Sequence, residues 1–361
     1  MSSPPESKSP KGKSPEIKSP AKSPKSCPTP SEKSEESGAQ SPASESPQQL
    51  GPEGIEVDGY DDESGIIMGS VVTDTTSLRD SIMAYKFENN RRYYAFQDGA
   101  YYSPNDETQQ RAEDLMHEMF TIILNGNYTI AEIPTTIQKA LDIGTGTGMW
   151  AIDFADRYPG TEVVGVDLSP IQPHFVPPNC KFEVDDITRE WTYGHNSLDL
   201  VHVRAMTGCV PDWVFFYKQA AQVLRSGGII EHMELFGIAH SDDGSLKPDS
   251  PLVRWVREFR RIGDAMGKSF FFSDTMERDM QAVGLETTIT KIKVPIGPWA
   301  KDPTLKLWGD WNRQFLLMGL EGFAMRGLTE ALGYSYEDAQ VFIAEVRAQI
   351  QDPKVHSYVY L

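Results

Sequence analysis

The chain reads as an α/β protein built on a doubly wound, mostly parallel sheet, and three observations predict this. From Lys139 onward, short apolar runs alternate with helical stretches, the pattern of parallel strands joined by crossover helices. The first run ends in Gly144-Thr-Gly-Thr-Gly148 and leads into Met149–Tyr158. Strand, glycine loop and helix start, in that order, cradle a nucleotide-type cofactor. A second run, Glu162–Asp167, ends in a carboxylate 19 residues after Gly148, placed to accept both ribose hydroxyls of an adenosine-type cofactor.

Taken in order, residues 1–50 are Ser, Pro, Lys and Glu with almost no apolar side chains. Such a composition cannot offset chain entropy and predicts a disordered arm. It carries Lys-Ser-Pro at Lys8, Lys13, Lys18 and Lys22, each a potential proline-directed phosphorylation site. The arm is either a phospho-regulated basic segment or a solvated spacer. Residues 51–80 are acidic and predict a linker. Residues 81–138 predict an N-terminal helical lid, with a tyrosine-rich stretch, Arg91–Tyr102, and a helix running from Ser103-Pro-Asn-Asp-Glu to Leu124, capped by Ser or Asn. Strands are expected at 139–143, 162–167, 180–184, 198–203 and 228–233. Helices are expected at 148–158, 212–225, 251–267, 274–283, 303–327 and 335–350. A sixth strand over 286–294 and a last one over 355–361 complete the pattern. Between Asp167 and Cys180 lie Pro170, Pro173, Pro177 and Pro178, which forbid a full crossover helix there.

The 361 residues suffice for one large domain. No run of 18 apolar residues predicts a membrane span, and the N-terminus lacks the apolar core of a secretory signal. Three widely spaced cysteines form neither a disulfide framework nor a zinc cluster, and a reducing compartment fits. The net charge is −18. Seven lysines and six carboxylates give residues 1–50 a charge of +1, leaving −19 on residues 51–361. That field repels phosphates and argues against direct nucleic-acid binding.

The loop has the form Asp142-x-Gly144-x-Gly146-x-Gly148, which resembles the S-adenosylmethionine (SAM) loop of class I methyltransferases. With that resemblance the strands and the helical cap at about 303–350 correspond to a seven-stranded Rossmann-like methyltransferase sheet. Asp142 would lie near the methionine amino group of SAM. Asp167 would hold the ribose and Asp186 the adenine amino group, with Thr145, Leu168, Ile187 and Arg204 in the same cofactor set. The chain also resembles the fungal LaeA-like methyltransferases over about residues 80–361. The shared features are Ser169-Pro-Ile-Gln-Pro173, Val176-Pro-Pro-Asn-Cys180, Asp185 and Asp186 followed by Trp191, and an entry containing Arg92, Tyr93, Tyr102 and Pro104–Glu107. This likeness implies a nuclear enzyme, with the cytoplasm as alternative, that controls secondary-metabolite genes and development and associates with velvet-type regulators.

Methyl transfer is an in-line displacement at a sulfonium carbon, so the protein mainly positions the nucleophile and excludes water. No metal is expected. A base is needed only where the acceptor must lose a proton. His202, Glu231 and Glu234 stand at strand ends as candidates, beside His232. Each also has a structural reading: a satisfied histidine for His202, and structural pairing for the two glutamates. Tyr101, Tyr102, Trp308 and Trp311 are either acceptor pocket or ordinary core. Two other functions share this fold: a biosynthetic methyltransferase acting on a small natural product, and a non-catalytic SAM-binding scaffold.

Overall fold

The computed structural model describes residues 85–94 and 101–361. The arm expected over 1–50 and the linker expected over 51–80 lie outside these residues.

The described chain opens with a hairpin, β1 (Tyr85–Glu88) and β2 (Arg91–Tyr94), paired antiparallel. Its turn residues Asn89 and Asn90 have φ of 49° and 61°, the left-handed pair of a type I′ turn. The helical expectation fails here: the left-handed asparagine pair turns the chain back on itself, and Arg91, Tyr93 and Tyr94 of the second strand are buried. Helix α1 (Glu107–Ile123) follows. Its cap is Asp106 rather than Ser or Asn: the carboxylate accepts from the Gln109 amide at 3.1 Å and grips Arg91 at 2.5 and 2.9 Å. Hairpin and helix are thereby locked together.

The central sheet comes next. Strand β3 (Lys139–Ile143) leads through the glycine loop to α2 (Met149–Arg157), then β4 (Glu162–Asp167), β5 (Cys180–Val184) and β6 (Leu198–Arg204). Helix α3 (Trp213–Val223) runs into β7 (Leu224–Met233). No helix links β4 to β5, as the four prolines require. The strands are all parallel, in the order β5-β4-β3-β6-β7. The chain moves outward in one direction from β3 through β5 and then in the other through β6. The switch point, where such sheets bind ligands, therefore lies outside the carboxyl ends of β3 and β6.

The expected seven-stranded sheet is corrected to five strands. The remaining strands form a separate antiparallel sheet of β8 (Phe236–His240), β9 (Lys293–Ile296) and β10 (Ser357–Tyr360), with β10 in the middle. Pro295 has no amide hydrogen to offer, which suits β9 to an edge. Helices α4 (Pro251–Met266), α5 (Ser273–Ala282), α6 (Pro303–Arg326) and α7 (Tyr336–Gln351) complete the fold. One core, around Trp150 and Phe154, lies under α2; another, around Phe216 and Tyr217, lies under α3. A third joins α1, α4, α6 and α7 around Phe120, Ile262, Leu320 and Ile343. Among the described residues no helix is long and apolar enough to cross a membrane.

Candidate functional site

A cavity of about 260 Å³ opens at the switch point. The glycine loop forms its floor. The amides of Gly144 and Thr145 donate to the Val166 carbonyl at 2.9 and 3.0 Å, fixing the loop to β4. The Gly146 amide donates to Asp167 Oδ2 at 2.9 Å, and the Ser169 amide to Oδ1 at the same distance. Burial raises the Asp167 carboxyl, against the pull of those amides. Gln172 Nε2 donates to the Gly146 carbonyl at 2.7 Å, so the proline-rich segment after β4 holds the loop from the other side.

Gly146 has φ +55° and Gly148 +84°, a region that favours glycine. Of the expected cofactor residues, Asp142, Gly144, Thr145 and Gly146 line the cavity, followed by the wall residues Asp167, Leu168, Asp186, Ile187 and Arg204. Gly148 does not; it caps α2, and a Cβ there would strike Phe182. Asp186 accepts from the Thr188 amide and hydroxyl at 3.0 and 2.6 Å and from Arg189 at 3.1 Å. These bonds outweigh burial and lower its pKa. Arg204 packs over the Phe120 ring and reaches His117 Nδ1 at 3.2 Å. His117 Nε2 in turn meets Asp153 at 2.9 Å, and burial lowers the arginine to about 10.

The base candidates separate. His202 is fully buried and does not line the cavity. Its Nδ1 meets Asp142 Oδ1 at 2.7 Å, Trp150 stacks on the ring at 3.7 Å, and Nε2 has no partner. It is a structural histidine. Burial pushes its pKa down to about 4 despite Asp142, because a second N–H would point at nothing. Glu231 also lies outside the cavity. Its Oε2 accepts from the amides of Ile130 and Ala131 at 2.9 and 2.7 Å, anchoring the segment before β3, and burial raises it to about 7. Glu234 does line the cavity. Its Oε1 accepts from the Met206 amide at 2.7 Å and meets His232 Nε2 at 2.7 Å, while Tyr217 Oη meets His232 Nδ1 at 2.8 Å. Glu234 Oε2 is buried without a partner.

Tyr101 and Tyr102 line the cavity, with Phe270 edge-on to Tyr102 at 4.9 Å. Trp308 and Trp311 do not; they pack on the helical core. Helix α6 instead presents Asn312, Phe315, Leu316 and Phe323. Asn312 Nδ2 donates to the Pro295 carbonyl at 2.9 Å, which leaves Oδ1 buried and unpartnered. Sequence reasoning missed Asn312, Lys268 and, on α1, Gln109, Glu113 and His117. The cavity is acidic: Glu113, Asp142, Asp167, Asp185, Asp186 and Glu234 face Arg204 and Lys268. A cationic ligand suits that field.

The family model of a methyltransferase domain matches residues 87–289. The chain belongs to the LaeA-like methyltransferases. It is 36% identical to methyltransferase pytC of Aspergillus terreus over 78% of this chain and 87% of that one. It is 34% identical to a secondary metabolism regulator of Cochliobolus heterostrophus, over 75% and 91%. It is 30% identical to the protein-methionine methyltransferase laeA of Emericella nidulans, over 75% and 73%. The LaeA-like chain is thus an enzyme, and SAM is its cofactor. The site fits that group, with Gly144 and Gly146 bringing bare backbone to its floor and an excess of carboxylates for a cation.

His202 gives a direct check on the frame beneath this site. Its neutral form should persist to about pH 4 in the folded protein, whereas the unfolded chain takes up the proton near 6.5. A group with a depressed basic pKa contributes stability above the unfolded value and loses it as pH falls between the two. An NMR titration of the imidazole carbons should show no His202 midpoint above about pH 5. A midpoint near 6.5 would contradict the buried, neutral assignment.

Proposed function

We propose that this LaeA-like methyltransferase acts in the regulation of secondary metabolism, binding SAM on the glycine loop and its methyl acceptor in the aromatic half of the cavity. The observation that carries the reading is the loop itself. Its backbone is tied to Val166 and Asp167, and it opens into one acidic and aromatic cavity. SAM supplies an activated methyl group on a sulfonium. The chain's own residues do the rest. Asp167 holds the ribose hydroxyls with the lone pairs that the Gly146 and Ser169 amides leave open. Asp186 and Ile187 receive the adenine edge and face. Arg204, tied back to His117, closes the wall beyond β6.

At the other end Glu234 Oε2 and Asn312 Oδ1 are acceptor atoms with nothing to accept. They suit an acceptor that brings an N–H or O–H, or one that gains positive charge on methylation, and the phenyl and tyrosyl rings exclude water around it. A hydroxyl or amine acceptor would give its proton to Glu234, whose orientation His232 and Tyr217 fix. A thioether acceptor has no proton to lose, and Glu234 would then face the new sulfonium. The Emericella nidulans relative is named for a protein-methionine acceptor, which favours the second case. The pytC relative, named simply a methyltransferase, keeps a small-molecule acceptor as the alternative. The Lys-Ser-Pro arm and the regulator names of relatives support a nuclear location, and the family resemblance implies protein partners of the velvet type.

Three outcomes test this function. Asp167→Ala should weaken SAM binding at least about tenfold by calorimetry, since charge-assisted hydrogen bonds contribute about 1.5–3 kcal/mol. Unchanged binding removes the ribose assignment. Tritiated-methyl SAM in fungal extract should label macromolecule with the wild type and far less with Glu234→Gln, while SAM affinity stays within about twofold. Label confined to organic-soluble material would establish the small-molecule alternative. A fluorescent fusion lacking residues 1–50 should keep SAM affinity and accumulate less in the nucleus; an unchanged nuclear signal would make the arm a spacer.

A further inference from the structure

We propose that Glu113 of α1 binds the cationic end of the methionine part of SAM, its ammonium or its sulfonium. The proposal rests on the glycine loop being the SAM site. Glu113 lines the cavity, and its Oε2 is buried without a hydrogen-bond partner. That oxygen lies 2.9 Å from where a Cβ on Gly146 would stand. An unpartnered carboxylate oxygen is therefore laid directly over the middle glycine of the loop.

The charged and titratable groups facing Glu113 are nearly all acids. Asp114 lies beside it on α1, Asp167 faces it from β4, and the Tyr101 and Tyr102 phenols and the Cys209 thiol face it from the segments above. Gln109, one turn earlier on α1, favours its ionised form. His117, one turn later, is turned to Asp153 and Arg204. Of the two lining cations, Arg204 is engaged with His117 and Phe120, and Lys268 faces Cys209 and Asp186. Burial, then Asp167, push the Glu113 carboxyl up to about 8, with Gln109 opposing.

What this group lacks is a positive charge, and the ligand of the loop carries two. Neither oxygen of Asp142 is vacant. Its Oδ1 is held by His202 at 2.7 Å and its Oδ2 by the Thr145 hydroxyl at 2.6 Å. Asp167 is likewise engaged by two amides and faces the ribose side. Glu113 is left as the carboxylate at the loop with a vacant oxygen. Placing a cation beside a protonated carboxyl favours its ionised form, so cofactor binding expels the Glu113 proton.

Calorimetry on the full-length protein at pH 7.0, in buffers of different ionisation enthalpy, reads both affinity and proton release. The ligands are SAM, S-adenosylhomocysteine and 5′-methylthioadenosine, the last lacking both cations. Wild type should release up to about one proton on binding SAM, from a carboxyl with a pKa of about 8. Glu113→Gln should lose that release and bind SAM at least about tenfold more weakly. Its affinity for methylthioadenosine should stay within about twofold. If S-adenosylhomocysteine weakens equally, the ammonium is the partner; if only SAM weakens, it is the sulfonium. Methylthioadenosine weakening as much as SAM would place Glu113 on the ribose and overturn the proposal. So would unchanged SAM affinity in the variant, or no excess proton release by the wild type, which needs no variant to measure. Wild type that binds none of the three ligands would overturn the glycine-loop reading itself, a distinct result.

Discussion

One buried carboxylate organises the centre of this molecule. Asp142 sits at the end of β3 with 3% of its surface exposed, and both its oxygens are used within the protein. One holds the Thr145 hydroxyl and so sets the first bend of the glycine loop. The other holds His202 of the neighbouring strand β6, and Trp150 of α2 lies flat on that imidazole. Strand, loop, helix and neighbouring strand thus converge on a single charge. A carboxylate this deep needs hydrogen bonds in place of water, so the geometry of the loop follows from satisfying it. The residue that the family pattern assigns to the cofactor serves first as the keystone of the apoprotein.

Around that frame the cavity divides by chemistry. The loop side is rich in carboxylates, and the far side is aromatic with two unpartnered oxygens, on Glu234 and Asn312. Met206 joins the halves: its sulfur packs on Gly144, and its amide donates to Glu234. Glu234 is further oriented by His232, which Tyr217 holds in turn.

The sheet was legible in the sequence where its strands were continuous apolar runs. β3, β4 and β5 match their expected bounds, and most helices fall within a residue or two. The prolines after Asp167 correctly excluded a helix. What was hidden has physical reasons. The hairpin turns on Asn89-Asn90, without the glycine that usually announces a type I′ turn. Only two residues separate β7 from β8, so a five-strand sheet and a three-strand sheet read as one series. The carboxylates at the strand ends could be found, but not how their lone pairs are occupied: Glu231 and Glu234 look equivalent until Ile130, Ala131 and Met206 come into reach. Glu113 was illegible because a helix sequence does not reveal which face meets a loop that starts 31 residues on, at Gly144. The choice between pocket and core for Trp308 and Trp311 stayed open for the same reason, and they pack on the core, since the residues of α6 that meet the cavity begin at Asn312.

The clamp between the hairpin and the helices sets the border of the working unit. Arg91 holds the cap of α1, and Arg326, at the end of α6, reaches back to Glu88 and to the Tyr101 carbonyl. Both walls of the cavity that do not come from the sheet are therefore moored to ten residues lying far upstream of the glycine loop. A gene fusion or domain exchange cut at the conventional start of the sheet, just before Lys139, would carry away the loop, the strands and α6 but leave α1 and the hairpin behind. A unit transplanted with its chemistry intact has to include the hairpin.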